Sequence, residues 1–111
     1  MIIKYQGVEI DASPDAIKRY VEACDQELVG YPMDGEACLV HNYLSDQLHT
    51  HGIAPLIWVG NNGGINIGEG ADELDLEADS DLLAVIQAFD MIIGDATPTR
   101  TLHELTKRGV W

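Results

Sequence analysis

The first apolar and polar positions, from residue 2 to residue 10, predict a tight β-hairpin that turns at Gln6-Gly7. The glycine accepts the positive φ that such a turn requires. In this register Lys4 faces Glu9 across the two strands. An opposite-charge pair at that place favours the hairpin.

Apolar residues at helical spacing then predict a first helix that runs to about Leu28. Ser13-Pro14 supplies an N-cap and a proline at the first helical position, and Gly30 is the expected stop. The predicted inward positions of this first helix are Ile17, Tyr20, Val21, Cys24 and Leu28.

Three more helices are predicted, over roughly residues 35 to 50, over about 80 to 93, and from Thr97-Pro98 onward. Asp34 is the expected N-cap of the first of these. The helix over 80 to 93 is the most hydrophobic, which predicts a central position. Its predicted inward positions are Leu82, Leu83, Val85, Ile86, Phe89, Ile92 and Ile93.

A second hairpin is predicted where residues 56 to 59 and 65 to 67 flank a loop of glycine and asparagine. There is no internal repeat or linker, so the 111 residues predict one globular domain, 1 to 111. The order of elements predicts an α+β fold. We expect an antiparallel sheet of two hairpins packed by three main helices and a short C-terminal helix.

The charge is distributed very unevenly along the chain. There are 19 acidic residues against six lysines and arginines, and residues 20 to 99 contain no lysine or arginine at all. This distribution argues against DNA, RNA and anionic membranes as direct partners, because binding phosphate requires cations. A net charge of −13 favours a basic protein or a metal cation as the partner.

The sequence predicts a cytoplasmic protein. No apolar run approaches the roughly 20 residues that cross a bilayer, and Met1-Ile2-Ile3 is followed at once by Lys4, unlike a secretory signal. In that compartment Cys24 and Cys38 are expected to be reduced, buried thiols.

A zinc site made by Cys38, His41, His49 and His51 is disfavoured by geometry. His49 lies eleven residues beyond Cys38, which is about 16 Å along one continuous helix. Zinc ligands lie within about 2.3 Å of the metal. We therefore expect a structural cysteine and surface histidines, and no cofactor.

Other chemistry finds little support. The run from Asp75 to Asp81 lacks the glycine and glutamate that a calcium loop needs at its sixth and twelfth positions, which are Ser80 and Ile86. The glycine-rich stretch 60 to 70 leads into carboxylates that would repel phosphate. No serine lies in a nucleophile elbow. A metal-dependent enzyme remains only a third hypothesis, and no catalytic residue is predicted.

Seven acids lie between residues 69 and 81. Asp79 or Ser80 is expected to cap the third predicted helix, and Asp81 to favour its positive end. If residues 75 to 79 are extended, their three carboxylates project from one face at intervals of about 6.7 Å. That interval is close to two base steps of DNA, at roughly 3.4 Å each.

In size, acidity and lack of catalytic motifs, the chain is similar in character to phage-encoded inhibitors of host defence, including anti-CRISPR proteins. It is equally similar to immunity proteins that neutralise nuclease toxins. The similarity is compositional and implies no particular residues. It implies a binding protein that inhibits a nuclease or nucleic-acid-binding complex by occupying its basic surface, as a nucleic-acid mimic.

The residues expected to lead the contact are Glu69, Asp72, Glu73, Asp75, Glu77 and Asp79, with Glu22, Asp25 and Glu27 as a second acidic cluster. The alternative is a small structural or assembly module whose acidity serves solubility. Its interface would use apolar residues such as Trp58, Trp111 or Tyr43. The sequence leaves the partner and the oligomeric state open.

Overall fold

The computed structural model describes all 111 residues and has an α+β fold, as predicted. The strands are β1 Ile2–Tyr5, β2 Val8–Asp11, β3 Ile57–Val59, β4 Gly64–Ile67 and β5 Leu74–Glu77. The helices are α1 Pro14–Glu22, α2 Leu39–His49, α3 Ser80–Asp90 and α4 Pro98–Lys107, and a single 3-10 turn spans Gly70–Asp72. None of these helices combines the length and the apolar character that crossing a bilayer requires.

The predicted first hairpin is confirmed. β1 pairs with β2 in antiparallel register, and Gln6 and Gly7 turn with φ of 48° and 79°. Two successive positive φ values match the twist of the flanking strands. Lys4 and Glu9 lie opposite each other, with Lys4 Nζ 3.5 Å from Glu9 Oε1.

The second hairpin is confirmed, but it belongs to a separate sheet with a third strand. The order is β3-β4-β5, and no hydrogen-bonded pairing joins this sheet to β1 or β2. We predicted one sheet of two hairpins and took the segment of β5 for an acidic loop. Leu74 and Leu76 alternate with Asp75 and Glu77, which is a strand pattern, but it covers only four residues. Aspartate and glutamate are also depleted in strands, so the composition hid it.

The first helix ends at Glu22, six residues before the predicted end at Leu28. The segment that follows is held by a tertiary contact, in which the Val29 N–H donates to the carbonyl of Ala96 at 2.9 Å. Gly30 also lies against another segment, where a Cβ would be 2.7 Å from the Ala37 carbonyl oxygen. The chain from 24 to 37 is therefore irregular, held by contacts that the sequence pattern does not contain.

The start of α2 also differs from the prediction. Cys38, and not Asp34, is the N-cap, and its sulfur accepts the His41 N–H at 3.5 Å. Asp34 instead accepts the Glu36 N–H at 3.0 Å within a turn. The prediction followed capping preference, which favours aspartate. In the structure Gly30 packs against the backbone of residues 37 to 39, where the helix begins.

The third helix is capped by Asp79 as predicted, but it ends at Asp90. Ile92 is buried, whereas Ile93 is 84% exposed, so the expectation that Ile93 faces inward is wrong. The chain turns away after the helix, at Gly94 with φ of 92°. The fourth helix begins after its N-cap Thr97, as predicted.

The hydrophobic core lies between the helices and the inner faces of both sheets. It contains 26 buried apolar residues, with Phe89 of α3 the largest of those that are almost completely covered. Ile3 and Ile10 enter it from the hairpin, and Ile65 and Ile67 enter it from β4. Because strand side chains alternate between faces, the other face of the three-stranded sheet is left to solvent.

Candidate functional site

The outer face of the three-stranded sheet carries one continuous row of side chains. Trp58 of β3 lies opposite Asn66 of β4, and Asn66 lies opposite Asp75 of β5. Glu73 and Glu77 are two residues before and after Asp75, which places them on the same face of the strand. An aromatic ring, an amide and three carboxylates therefore share one surface.

Asn66 organises the acidic side of this surface. Its Nδ2 donates to Glu73 Oε1 at 3.4 Å and also to Asp75 Oδ1. One side-chain amide thus holds two carboxylates towards the same point. A neutral donor fixes their positions without cancelling their charge.

The predicted site on and around β5 is called the β5 cluster below, and comprises Glu69, Asp72, Glu73, Asp75, Glu77 and Asp79. Glu69 precedes the 3-10 turn, Asp72 ends it and Glu73 follows it. Asp75 and Glu77 lie on β5, which has the extended backbone that the predicted spacing requires. All six residues are exposed.

Asp79 differs from the rest of the β5 cluster because its carboxylate is already engaged. It accepts the Leu82 N–H at 2.9 Å, and its other oxygen lies 3.3 Å from the amino group of Met1. The hydrogen bond from Leu82 is the largest of the effects that hold the pKa of Asp79 below its ordinary value. Asp79 therefore has a structural role, and the other five carboxylates form no ion pair within the chain.

The negative charge of the protein is almost entirely unpaired. The ion pairs are Met1 with Asp79, Lys4 with Glu9, and Arg19 with Asp15. No other member of the β5 cluster is paired with a cation. The charge on this face is left for solvent counterions or a basic partner.

The second acidic cluster lies at the end of α1. Glu22 is the last residue of the helix, and Asp25 and Glu27 lie in the irregular segment that follows. All three are exposed. Asp25 lines a cavity of about 410 Å³ that also contains Tyr20. Burial, followed by the hydrogen bond to Asp46, raises the pKa of Tyr20.

A groove of about 660 Å³ extends along the outer face of the sheet beside α2. It is called the Trp58 groove below, and its lining includes Glu36, His41, Leu56, Trp58, Asn66 and Glu73. Two of its large apolar side chains are accessible, since Leu56 is 66% exposed and Trp58 is 48% exposed. The groove therefore offers apolar surface and carboxylates together.

Two glycines determine where Trp58 lies. A Cβ on Gly35 would be 2.6 Å from Trp58 Nε1, and a Cβ on Gly60 would be 2.7 Å from Trp58 Cζ3. Real side chains do not tolerate such distances, so only glycine lets the indole rest on these two segments of backbone. Trp58 is thereby supported from beneath and keeps about half of its surface open.

The cysteines and histidines do not assemble into a site. No group of three or more His, Cys, Asp or Glu side chains is arranged to hold a metal ion. Cys38 is buried at the start of α2, and burial raises the pKa of its thiol. His49 and His51 are exposed at the opposite end of that helix. Cys24 and Cys38 are both free thiols.

Sequence reasoning missed the groove and misplaced one residue of the alternative interface. Tyr43 is only 4% exposed, and its hydroxyl donates to the Asp11 carbonyl at 2.6 Å, so Tyr43 is a core residue. Glu36 and Asn66 were not singled out at all. The predicted second hairpin contains the signal for Trp58 beside Asn66, but only β5 brings Asp75 next to them.

Comparison with known proteins finds no protein-family model, no curated protein and no solved structure that matches this chain. The exposed side chains and their charges are therefore the basis for a functional assignment.

Proposed function

We propose that the protein is an acidic binding protein that inhibits a nuclease or another nucleic-acid-binding protein by occupying its basic surface. The observation that carries the proposal is the set of exposed carboxylates on and beside β5, five of which have no cationic partner within the chain. In this role it acts as phage anti-defence proteins, anti-CRISPR proteins and toxin-immunity proteins do.

The spacing of the carboxylates supports nucleic-acid mimicry. Glu73, Asp75 and Glu77 alternate along one extended segment and share its outer face. Alternate strand residues are about 6.7 Å apart, close to two steps of about 3.4 Å along one DNA strand. A channel lined with lysine and arginine for the phosphates of one strand therefore meets negative charge at an interval close to every second step of that strand.

The unpaired charge also has a kinetic consequence. A net charge of −13 directed at a basic surface accelerates encounter and makes association sensitive to salt. Docked in this way, the protein blocks the nucleic acid by occupying its site and needs no chemistry of its own.

The proposal is tested by removing charge from β5 without changing its shape. The triple variant Glu73→Gln, Asp75→Asn, Glu77→Gln is compared with the wild type in capture of partners from a cell lysate at about 50 and 200 mM salt. The variant Glu22→Gln, Asp25→Asn, Glu27→Gln is the matched control, because it removes the same charge from the second acidic cluster.

We expect the β5 triple variant to lose most of its salt-sensitive capture and the control to lose much less. The captured protein should then lose nucleic-acid binding when the wild type is added, and keep it with the β5 triple variant. If capture and its salt slope are the same for the wild type and the β5 triple variant, the proposal is wrong.

A second candidate function is a small assembly module with an apolar interface. The observation that favours it is the exposure of Leu56 and Trp58 in one groove. Met33, which is also exposed, lines a neighbouring cavity together with Trp58. A complex of this kind survives high salt and is weakened by Trp58→Ala. Capture that persists at high salt and is unaffected by the β5 triple variant would favour it.

A further inference from the structure

We infer that the Trp58 groove is a recognition site for an arginine side chain on an extended basic segment of the partner protein. The inference rests on the proposed function and adds to it a defined anchor point. It follows from three properties of the groove: an accessible indole, two carboxylates beside it, and enough volume for a peptide.

The indole is placed to receive a flat cation. Trp58 is about half exposed, and its indole packs on the backbone of Gly35 and Gly60. Tryptophan is the best aromatic partner for a cation on its face. Arginine is the better match among cations, because its planar guanidinium also stacks on the ring and is weakly hydrated.

The carboxylates supply the polar half of the recognition. Glu36 and Glu73 line the same groove as Trp58, and neither forms an ion pair within the chain. Asn66 donates a hydrogen bond of 3.4 Å to Glu73. Because this bond already restricts the Glu73 side chain, Glu73 loses less conformational freedom when a ligand binds. A guanidinium can donate to a carboxylate in a bidentate manner while it stacks, whereas an ammonium group presents only a point charge.

The groove is larger than one side chain needs. Its volume of about 660 Å³ falls within the range of about 300 to 1,000 Å³ that ligand clefts occupy. The exposed side chain of Leu56 lines the same groove and offers apolar surface to the methylene groups of a long cationic side chain. Beyond Asn66 the same face continues to Asp75. A segment anchored at Trp58 therefore extends towards the β5 cluster.

Other occupants fit this chemistry less well. Nucleic acids and anionic lipids carry the same charge sign as the groove, and no cation of this chain lies between residues 20 and 99 to receive them. A second copy of the chain would have to supply one of six cations, all near the ends of the sequence. Self-association is therefore kept as an outcome of the test.

The experiment uses three synthetic peptides of identical length, in which threonine alternates with arginine, with lysine or with uncharged citrulline. Binding is followed at about pH 8, where histidine is neutral, through the fluorescence of Trp58. Trp111→Phe serves as the reference protein, because it leaves Trp58 as the only tryptophan of the two in the chain. Calorimetry gives the affinities of variants that lack the indole.

We expect the arginine peptide to bind about fivefold more tightly than the lysine peptide and to change the Trp58 emission. Its affinity should exceed that of the citrulline peptide by a much larger factor. Trp58→Leu should remove the arginine preference and leave the salt slope nearly unchanged. Trp58→Phe should keep part of the preference. Glu36→Gln should lower the affinity for the arginine peptide more than the control substitution Glu22→Gln does.

Equal affinity for the arginine and lysine peptides would overturn the inference, as would an arginine preference that survives Trp58→Leu. Absence of measurable binding at millimolar peptide overturns it as well, as does self-association that is detected by sedimentation and abolished by Trp58→Leu. The proposed function fails differently, since it is wrong only if neutralising Glu73, Asp75 and Glu77 leaves partner capture unchanged. Circular dichroism of each variant confirms that the fold is retained.

Discussion

The side-chain amide of Asn66 in β4 donates to the carboxylate of Asp75, which lies directly opposite it in β5. The contact joins the central strand to a strand whose composition is poorly suited to a sheet. It also connects the β5 cluster to Trp58, because Asn66 lies opposite Trp58 in β3. Asn66 thus donates hydrogen bonds to two carboxylates, and it also lies at the centre of the exposed face.

Replacing Asn66 with aspartate places a third carboxylate between Glu73 and Asp75. We expect the free energy of unfolding to fall by about 1 kcal/mol at low salt, because like charges directly opposite each other destabilise a sheet. About 1 M salt should restore much of the loss by screening. Urea denaturation at both salt concentrations measures this. Asn66→Thr is the control, and an equal loss in both variants at every salt concentration would contradict the electrostatic account.

Asp79→Ala should destabilise the protein by about 1 kcal/mol, because it removes the N-cap of α3. Asp79→Asn should cost less, since asparagine caps nearly as well. The pKa of Asp79 is lowered in the folded state. Its ionised form therefore stabilises the fold above the unfolded pKa of about 3.9, and this contribution is lost as the pH falls through the folded pKa.

The difference in stability between the wild type and Asp79→Asn should accordingly shrink between about pH 5 and pH 2. Thermal or urea unfolding across that range provides the measurement. A difference that stays constant with pH would show that the Asp79 charge contributes nothing.

Gly60→Ala should destabilise the fold by about 1 to 3 kcal/mol, because the added methyl group overlaps the indole of Trp58. In the Trp111→Phe background the emission of Trp58 should also shift to longer wavelength as the ring is displaced towards solvent. The same substitution in a Trp58→Ala background should cost less. An equal cost in both backgrounds would show that Asn62, the other near neighbour at 2.7 Å, is the obstacle.

The two thiols should react at very different rates. Cys38 is 4% exposed and burial raises its pKa, whereas Cys24 is only partly buried. Since the thiolate is the reactive form, an aromatic disulfide reagent should modify one cysteine in the native protein and the second only after unfolding. Cys24→Ser should abolish the fast phase. A fast phase that remains in this variant would contradict the burial of Cys38.

Thr101→Val should leave stability unchanged or raise it slightly. The Thr101 hydroxyl is completely buried in α4 and has no hydrogen-bond partner, so valine keeps its shape and removes an unsatisfied group. Thr101→Ala is the control and should cost about 1 kcal/mol through a small cavity. A loss above about 1 kcal/mol for Thr101→Val would show that the hydroxyl has a partner in solution.

Local pattern alone was enough for much of the fold. The turn at Gln6-Gly7, the Lys4–Glu9 pair and the caps at Ser13, Asp79 and Thr97 were all predicted from neighbours within a few residues. Their energetics depend on hydrogen bonds and φ preferences over one turn of chain. The α+β class follows from the order of these elements.

The candidate site was also predicted only in part from the sequence. The acidic residues and the absence of cations among residues 20 to 99 are properties of the sequence itself. The sequence did not predict that Asp75 shares a row with Trp58, because that relation depends on β5 pairing with β4. The four-residue alternation of β5 was too short, and too acidic, to compete with the loop interpretation.

The sequence by itself therefore determined the sign and the place of the charge, the fold class and most of the helix starts. Only the tertiary structure decided that α1 ends at Glu22, that Cys38 begins α2, and that the sheets are separate. It also decided that carboxylates and an exposed indole line one groove. The physical reason is that charge and local propensity act over a few residues, whereas strand pairing and backbone packing join segments distant in the chain.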